Sequence, residues 1–199
     1  MKLLVATRNK GKFGEIARLL ALTGLELISL QETALFGEAP ESGETHLENA
    51  ASKALFWSRQ YEGPVLAEDS GLEVEGLDGK PGVHTARYGG PGLSDEQRYR
   101  KLLAELKAKP GASRAASYRC VCALANGGNL LASFSGSCRG EIATAARGSG
   151  GFGYDPVFLY PPLGKTFAEI SAEEKDRVSH RGEALRALVA HVEAYGLNA

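Results

Sequence analysis

Cysteine is scarce in this 199-residue chain, which has only Cys120, Cys122 and Cys138. Three thiols cannot all pair, and a C-x-C with a distant third lacks zinc-ligand spacing, so a disulfide scaffold and a structural zinc site are both set aside. The three read as reduced, buried hydrophobes. Long apolar runs are missing as well: nothing approaches the roughly 18 residues of a membrane span. Leu3 to Ala6 is too short for the core of a signal peptide, and Arg8, Lys10 and Lys12 follow it directly. A cytoplasmic location with no membrane partner is the expectation. Nor is there an excess of either charge: 23 basic residues face 24 acidic ones, for a net charge of -1. Gripping a nucleic acid backbone calls for a clustered basic face, so no polymeric partner is expected. Internal repeats, low-complexity tracts and clean linkers are also lacking, and residues 1–199 are taken as one domain, of one body or two closely packed lobes.

What is present is ordinary globular composition, with 43% hydrophobic and 24% charged residues. Leu3-Leu4-Val5-Ala6 reads as a buried strand, and Phe13, Ile16, Ala17 and Leu20 fall at helical spacing behind it. Leu25 to Ile28 gives a short second strand before a polar, acidic loop from Gln31 to Glu44. A second helix carries Leu47, Ala50, Ala51 and Ala54, with Thr45 as its cap and Glu48 completing a capping box. Val65-Leu66-Ala67 runs as a strand into Glu68-Asp69, where Ser70-Gly71 suggests a turn that exposes Asp69. The glycine-rich segment from Gly76 to Gly92 reads as an irregular loop, followed by a helix capped at Ser94 or Asp95. Two extended runs, Ser117 to Ala125 and Leu130 to Ile142, flank the turn Asn126-Gly127-Gly128-Asn129 and predict a hairpin. Val157 to Leu159 gives a short strand, and a last helix starts near Ser179. Alternating strands and helices with a central hairpin predict an α/β fold with a mixed sheet.

Four groups of residues could do chemistry. Thr7-Arg8-Asn9-Lys10-Gly11-Lys12 lies between a strand and a helix, where helix-start amides, the helix dipole and lysines suit a phosphate. It is not a Walker A loop, and it also reads as a solvated basic turn. Glu41, Glu44, Glu68 and Asp69 supply carboxylates of the kind that magnesium takes together with water and substrate phosphates. Neighbouring strand residues point to opposite faces, so at most one of Glu68 and Asp69 enters the site unless a bulge intervenes, and Asp69 is the choice. Taken alone, Glu41 and Glu44 read more readily as solvated loop residues. Gly150 to Pro156 sets Phe152 and Tyr154 among glycines, where a base could stack and Asp155 could accept hydrogen bonds, or where two core aromatics flank a turn. Finally Lys175 and Ser179-His180-Arg181 place cations at a helix start, against the dipole, which is easier to understand if they donate to a ligand.

Taken in order, Thr7 to Lys12, Glu68-Asp69-Ser70-Gly71, Pro81-Gly82, Ala86-Arg87-Tyr88, Gly151 to Pro156, Glu174-Lys175 and Ser179-His180-Arg181 resemble the inosine triphosphate pyrophosphatase family over essentially the whole chain. The resemblance implies an elongated mixed β-sheet with flanking helices, two lobes around a nucleotide cleft, and a homodimer. It implies a magnesium-dependent nucleoside triphosphate diphosphatase that converts ITP, dITP and XTP to monophosphate and pyrophosphate. By the same resemblance Thr7, Arg8, Asn9, Lys10, Gly11, Lys12 and Lys53 hold the triphosphate, with Ser70 nearby. Phe152, Gly153, Tyr154, Asp155, Lys175, His180 and Arg181 surround the base and sugar. Asp69 is the proton acceptor and a metal ligand, and Glu41 is the second acidic ligand. Arg8 departs from the small or polar residue usual at its position. A pyrophosphatase for other bases and a nucleotide-binding regulatory module remain as rival readings.

Overall fold

The computed structural model describes residues 1–197. The chain opens with β1 (Lys2–Val5), α1 (Lys10–Leu20) and β2 (Glu26–Ser29). β1 and β2 pair in parallel, Lys2 opposite Glu26 through Val5 opposite Ser29, and α1 is the crossover that a parallel pair requires. α2 (His46–Ser58) leads to β3 (Val65–Val74), which pairs in parallel with the other side of β1. α3 (Asp95–Lys107), β4 (Ala115–Asn126), β5 (Asn129–Ile142), β6 (Phe158–Tyr160) and β7 (Lys165–Thr166) follow, and α4 (Ala172–Val178) and α5 (His180–Tyr195) complete the order. Among the described residues seven strands form one sheet in the order β2-β1-β3-β4-β5-β6-β7. It is mixed, because β6 pairs antiparallel with both β5 and β7. The predicted α/β class with flanking helices is the one observed. No helix among the described residues is long and apolar enough to cross a membrane.

Local signals formed the elements they announced. Thr45 accepts the Glu48 amide while the Glu48 side chain takes the amide of Thr45, so both halves of the capping box start α2. In the β4–β5 hairpin, Gly127 and Gly128 hold φ of 57° and 81°, the positive pair that a two-residue turn of matching twist demands.

Two local readings are corrected, and one helix is added to those expected. Ser70-Gly71 is not a turn: β3 continues through it to Leu72 and Val74, both fully buried, so Asp69 sits within a strand at only 8% exposure. The segment from Gly76 to Gly92 is not wholly irregular, since 3-10 turns occupy Glu75–Leu77 and Gly82–Arg87. The last helix does start near Ser179, since α5 begins at His180, but Ser179 also closes α4, a helix started by Ser171 in a capping box with Glu174. α4 escaped the periodicity argument because it buries only Lys175.

The chain folds as two compact units. The first comprises Met1–Asp69, Cys120–Gly136 and the chain from His180 on. Its strands alternate. Leu3, Val5 and Leu66 join Ile16 and Leu20 of α1 and Leu185 and Leu188 of α5 in one core. Leu4, Ala6, Val65 and Ala67 join Ala50, Ala54 and Trp57 of α2 in another, on the opposite face. The second unit, Ser70–Arg119 with Ser137–Ser179, has a core built from Leu72, Leu102, Tyr118, Phe158 and Phe167 among others.

Candidate active site

The strand alternation that divides the two cores of the first unit also divides its acids. Glu68 follows Leu66 on the face of α1 and α5, and Asp69 follows Ala67 on the face of α2. Both carboxylates are buried, at 4% and 8% exposure, so each must be matched by donors or cations.

On the α2 face, the Lys53 ammonium lies 2.9 Å from Asp69 Oδ1 and 2.8 Å from Glu41 Oε1. His46 Nδ1 lies 2.6 Å from Asp69 Oδ2. Burial opposes ionisation of Asp69, but the His46 hydrogen bond and the Lys53 charge outweigh it and hold the carboxyl below its ordinary value. Burial likewise disfavours the Lys53 cation, and Asp69 and Glu41 more than restore it.

On the other face, Lys12 Nζ lies 2.5 Å from Glu68 Oε1, and the Arg181 guanidinium lies 3.2 Å from Glu68 Oε2 while also pairing with Glu15. Burial resists charge on Glu68, yet Arg181 and then Lys12 keep it well below the carboxylate range. Burial opposes the Arg181 cation too, and Glu68 and Glu15 raise its affinity for the proton above the usual value. This pairing accounts for a cation in the first turn of α5, which the helix dipole alone would disfavour. Cys120, an expected hydrophobe, donates its thiol hydrogen to Glu68 Oε2 at 3.3 Å. All three cysteines are buried thiols, as expected.

The basic turn begins α1. Asn9 caps the helix by accepting the Lys12 amide at 3.1 Å, and Thr7 Oγ1 accepts the Asn9 amide at 3.2 Å. A hollow of ≈ 110 Å³ is lined by Thr7, Arg8, Asn9, Lys10 and Phe13 with Ser29 and Gln31. Arg8 turns its side chain away from a purely solvated role: it donates to the Gly37 carbonyl at 3.2 Å and lies 5.8 Å over the Trp57 ring. The Arg8 carbonyl meanwhile accepts from Gln31 Nε2 at 3.1 Å.

In the second unit, Asp155 accepts the Phe152 amide at 2.9 Å and pairs with the Lys175 ammonium, which lies 5.0 Å over the Phe152 ring. Gly153 donates its amide to Asp95 at 2.9 Å, and the Tyr154 hydroxyl donates to the Thr85 carbonyl at 3.0 Å. Phe152 to Asp155 and Lys175 are therefore assembled together, and Ser70 opens this unit directly after Asp69.

The first unit thus unites Thr7 to Lys12, Glu41, Lys53, Asp69, His180 and Arg181, although the last two lie over a hundred positions along the chain from Asp69. Three contributors escaped sequence reasoning. Glu15 shows no local signal, since its partner lies 166 residues away. Glu68 was set aside in favour of Asp69, yet both are engaged. His46 has no chemical partner among its sequence neighbours; the available clue is its spacing of seven from Lys53, which places both on one helix face.

The Ham1 family model matches residues 3–191. A relative named dITP/XTP pyrophosphatase from Geobacter sulfurreducens is 47% identical over 196 residues, 98% of each chain. Another of that name, from Thermus thermophilus, is 47% identical over 98% of this chain and 92% of its own. The solved structure of a HAM1 protein from Coxiella burnetii superposes with a TM-score of 0.88 at 37% identity, covering 98% of this chain and 99% of that one.

Proposed function

Because this chain belongs to the Ham1 family, we propose that it hydrolyses deaminated purine nucleoside triphosphates, dITP, ITP and XTP, to the monophosphate and pyrophosphate, and so removes them from the nucleotide pool. Water attacks the α-phosphorus. A new P–O bond forms there as the bond to the oxygen bridging to the β-phosphorus breaks, and pyrophosphate leaves. Asp69 orients the water and accepts its proton. The basic turn, Thr7, Arg8, Asn9, Lys10, Gly11 and Lys12, holds the triphosphate with Lys53 and Ser70, and the lysines offset charge growing on the leaving group.

The observation that carries this reading is the cluster Glu41, Lys53 and Asp69 in the same unit as the basic turn. The cluster also fits magnesium: two hard oxygen donors already converge on one cation, the Lys53 ammonium, at 2.8 and 2.9 Å. Among the described residues no group of three or more His, Cys, Asp and Glu side chains forms a ready cation site. Glu41 and Asp69 would hold the ion jointly with substrate phosphates and water, the arrangement magnesium prefers. When bound it supplies Lewis-acid polarisation of the phosphates.

Base and sugar recognition is assigned to Phe152, Gly153, Tyr154, Asp155 and Lys175 and to His180 and Arg181. Donors aimed at the 6-keto oxygen would be left unpaired by the amino group of adenine, and such a mismatch costs orders of magnitude in specificity. The family resemblance also supports a homodimer. The deciding measurement is pyrophosphate release with magnesium from dITP, ITP, XTP, GTP and ATP. The deaminated nucleotides should exceed ATP in kcat/KM by about a hundredfold. Equal values for ATP and dITP would overturn the proposal.

A further inference from the structure

His46 is the first residue of α2, held there by the Thr45–Glu48 capping box. Its Nδ1 lies 2.6 Å from Asp69 Oδ2, while Lys53 Nζ lies 2.9 Å from Asp69 Oδ1. The two donors are seven residues apart and share a helix face, and the long Lys53 side chain leans back toward the helix start, as helical side chains do. One helix therefore grips both oxygens of one carboxylate. A single donor would fix one oxygen and leave the carboxyl plane able to turn about Cβ–Cγ. A second donor on the other oxygen removes that rotation.

The ring's orientation supports a donor role. His46 is 9% exposed, and its Nε2 is buried with no hydrogen-bond partner among the described residues. A proton on Nε2 would be a buried donor without an acceptor, whereas a proton on Nδ1 meets Asp69 directly. The tautomer that satisfies more of the site carries its hydrogen on Nδ1 and gives it to the carboxylate. The cost is an unfilled acceptor at Nε2, which an apolar ring in this place would not carry.

We propose that His46 is a positioning residue for the hydrolysis, fixing the plane of the Asp69 carboxylate against Lys53 so that its proton-accepting lone pair meets the attacking water. The inference rests on the reading of Asp69 as the proton acceptor. A group held to the productive orientation before substrate arrives avoids reorientation in the transition state, so its loss lowers kcat more than it raises KM.

Three substitutions and a reference test it by pyrophosphate release from dITP. His46→Phe keeps a ring without nitrogen, His46→Asn keeps an amide near the place of Nδ1, and His46→Gln moves the amide toward the place of Nε2. His46→Phe and His46→Gln should each lose about tenfold or more in kcat, the usual effect of removing an orienting partner, with KM within about threefold of the starting value. His46→Asn should stay within about threefold of the starting kcat. Should His46→Phe fail to fold, the Asn and Gln variants still decide the question. Equal kcat for those two, or a His46→Phe kcat within about twofold of the parent, would overturn the proposal. Asp69→Asn separates the two levels. If it keeps turnover, the underlying reading of Asp69 falls. If it loses turnover while His46→Phe keeps it, only the role of His46 falls.

Discussion

At the scale of the residue, Lys53 shows how one side chain joins roles that look separate in the sequence. It was expected on a phosphate, and in the structure its ammonium is shared by Glu41 and Asp69. Removing it leaves two carboxylates without their common cation, one of them buried. Lys53→Met should lower kcat for dITP about tenfold or more, because Asp69, left with the His46 hydrogen bond but without the Lys53 charge, takes up a proton more readily, and a carboxyl that already carries a proton cannot accept one from the water. Steady-state pyrophosphate release reads this directly, and an unchanged kcat would mean that Lys53 only secures the loop that carries Glu41. Arg8, the residue that departs from the family pattern, is explained at the same scale: Trp57 and the Gly37 carbonyl occupy its guanidinium. Neither partner is visible from the residues around position 8, since Gly37 lies 29 positions away.

At the scale of the element, signals carried within a few residues were legible and those requiring a neighbour were not. The α2 capping box and the Gly127-Gly128 turn were readable because their partners lie within three residues along the chain. The continuation of β3 through Ser70-Gly71 was not, because Leu72 and Val74 keep the strand extended by burying into the core of the second unit. Gly136 on β5 is another element-level constraint. A Cβ there would run into the His180 carbonyl and the Ala184 amide at the start of α5. Gly136→Ala should destabilise the fold by about 1–3 kcal/mol through overpacking, measured by urea unfolding. It should also raise KM, since α5 cannot move away without carrying His180 and Arg181 with it.

At the scale of the whole molecule, the buried ions of the first unit join distant parts of the chain: Glu15 and Lys12 on α1, Glu68 on β3, and Arg181 on α5. Because Arg181 and Lys12 hold Glu68 below its ordinary value of 4.5, its contribution to stability is complete above that value and is lost as pH falls through the depressed one. Unfolding free energy should therefore fall on acidification below about pH 5. Glu68→Gln should flatten that fall while lowering stability near neutrality by about 3 kcal/mol. Urea unfolding at a series of pH values checks both, and an unaltered acid slope would show that Glu68 does not contribute. The sequence by itself determined the α/β class, the caps of α2 and α3, the hairpin and the ordered motifs of the family, all set by local propensity, periodicity and short spacings. Only the tertiary structure decided that both Glu68 and Asp69 are buried against cations, that Lys12 and Arg181 meet on Glu68, and that His46 reaches Asp69. Those outcomes depend on which helix covers which face of the sheet, and that is settled by packing between segments far apart in the chain.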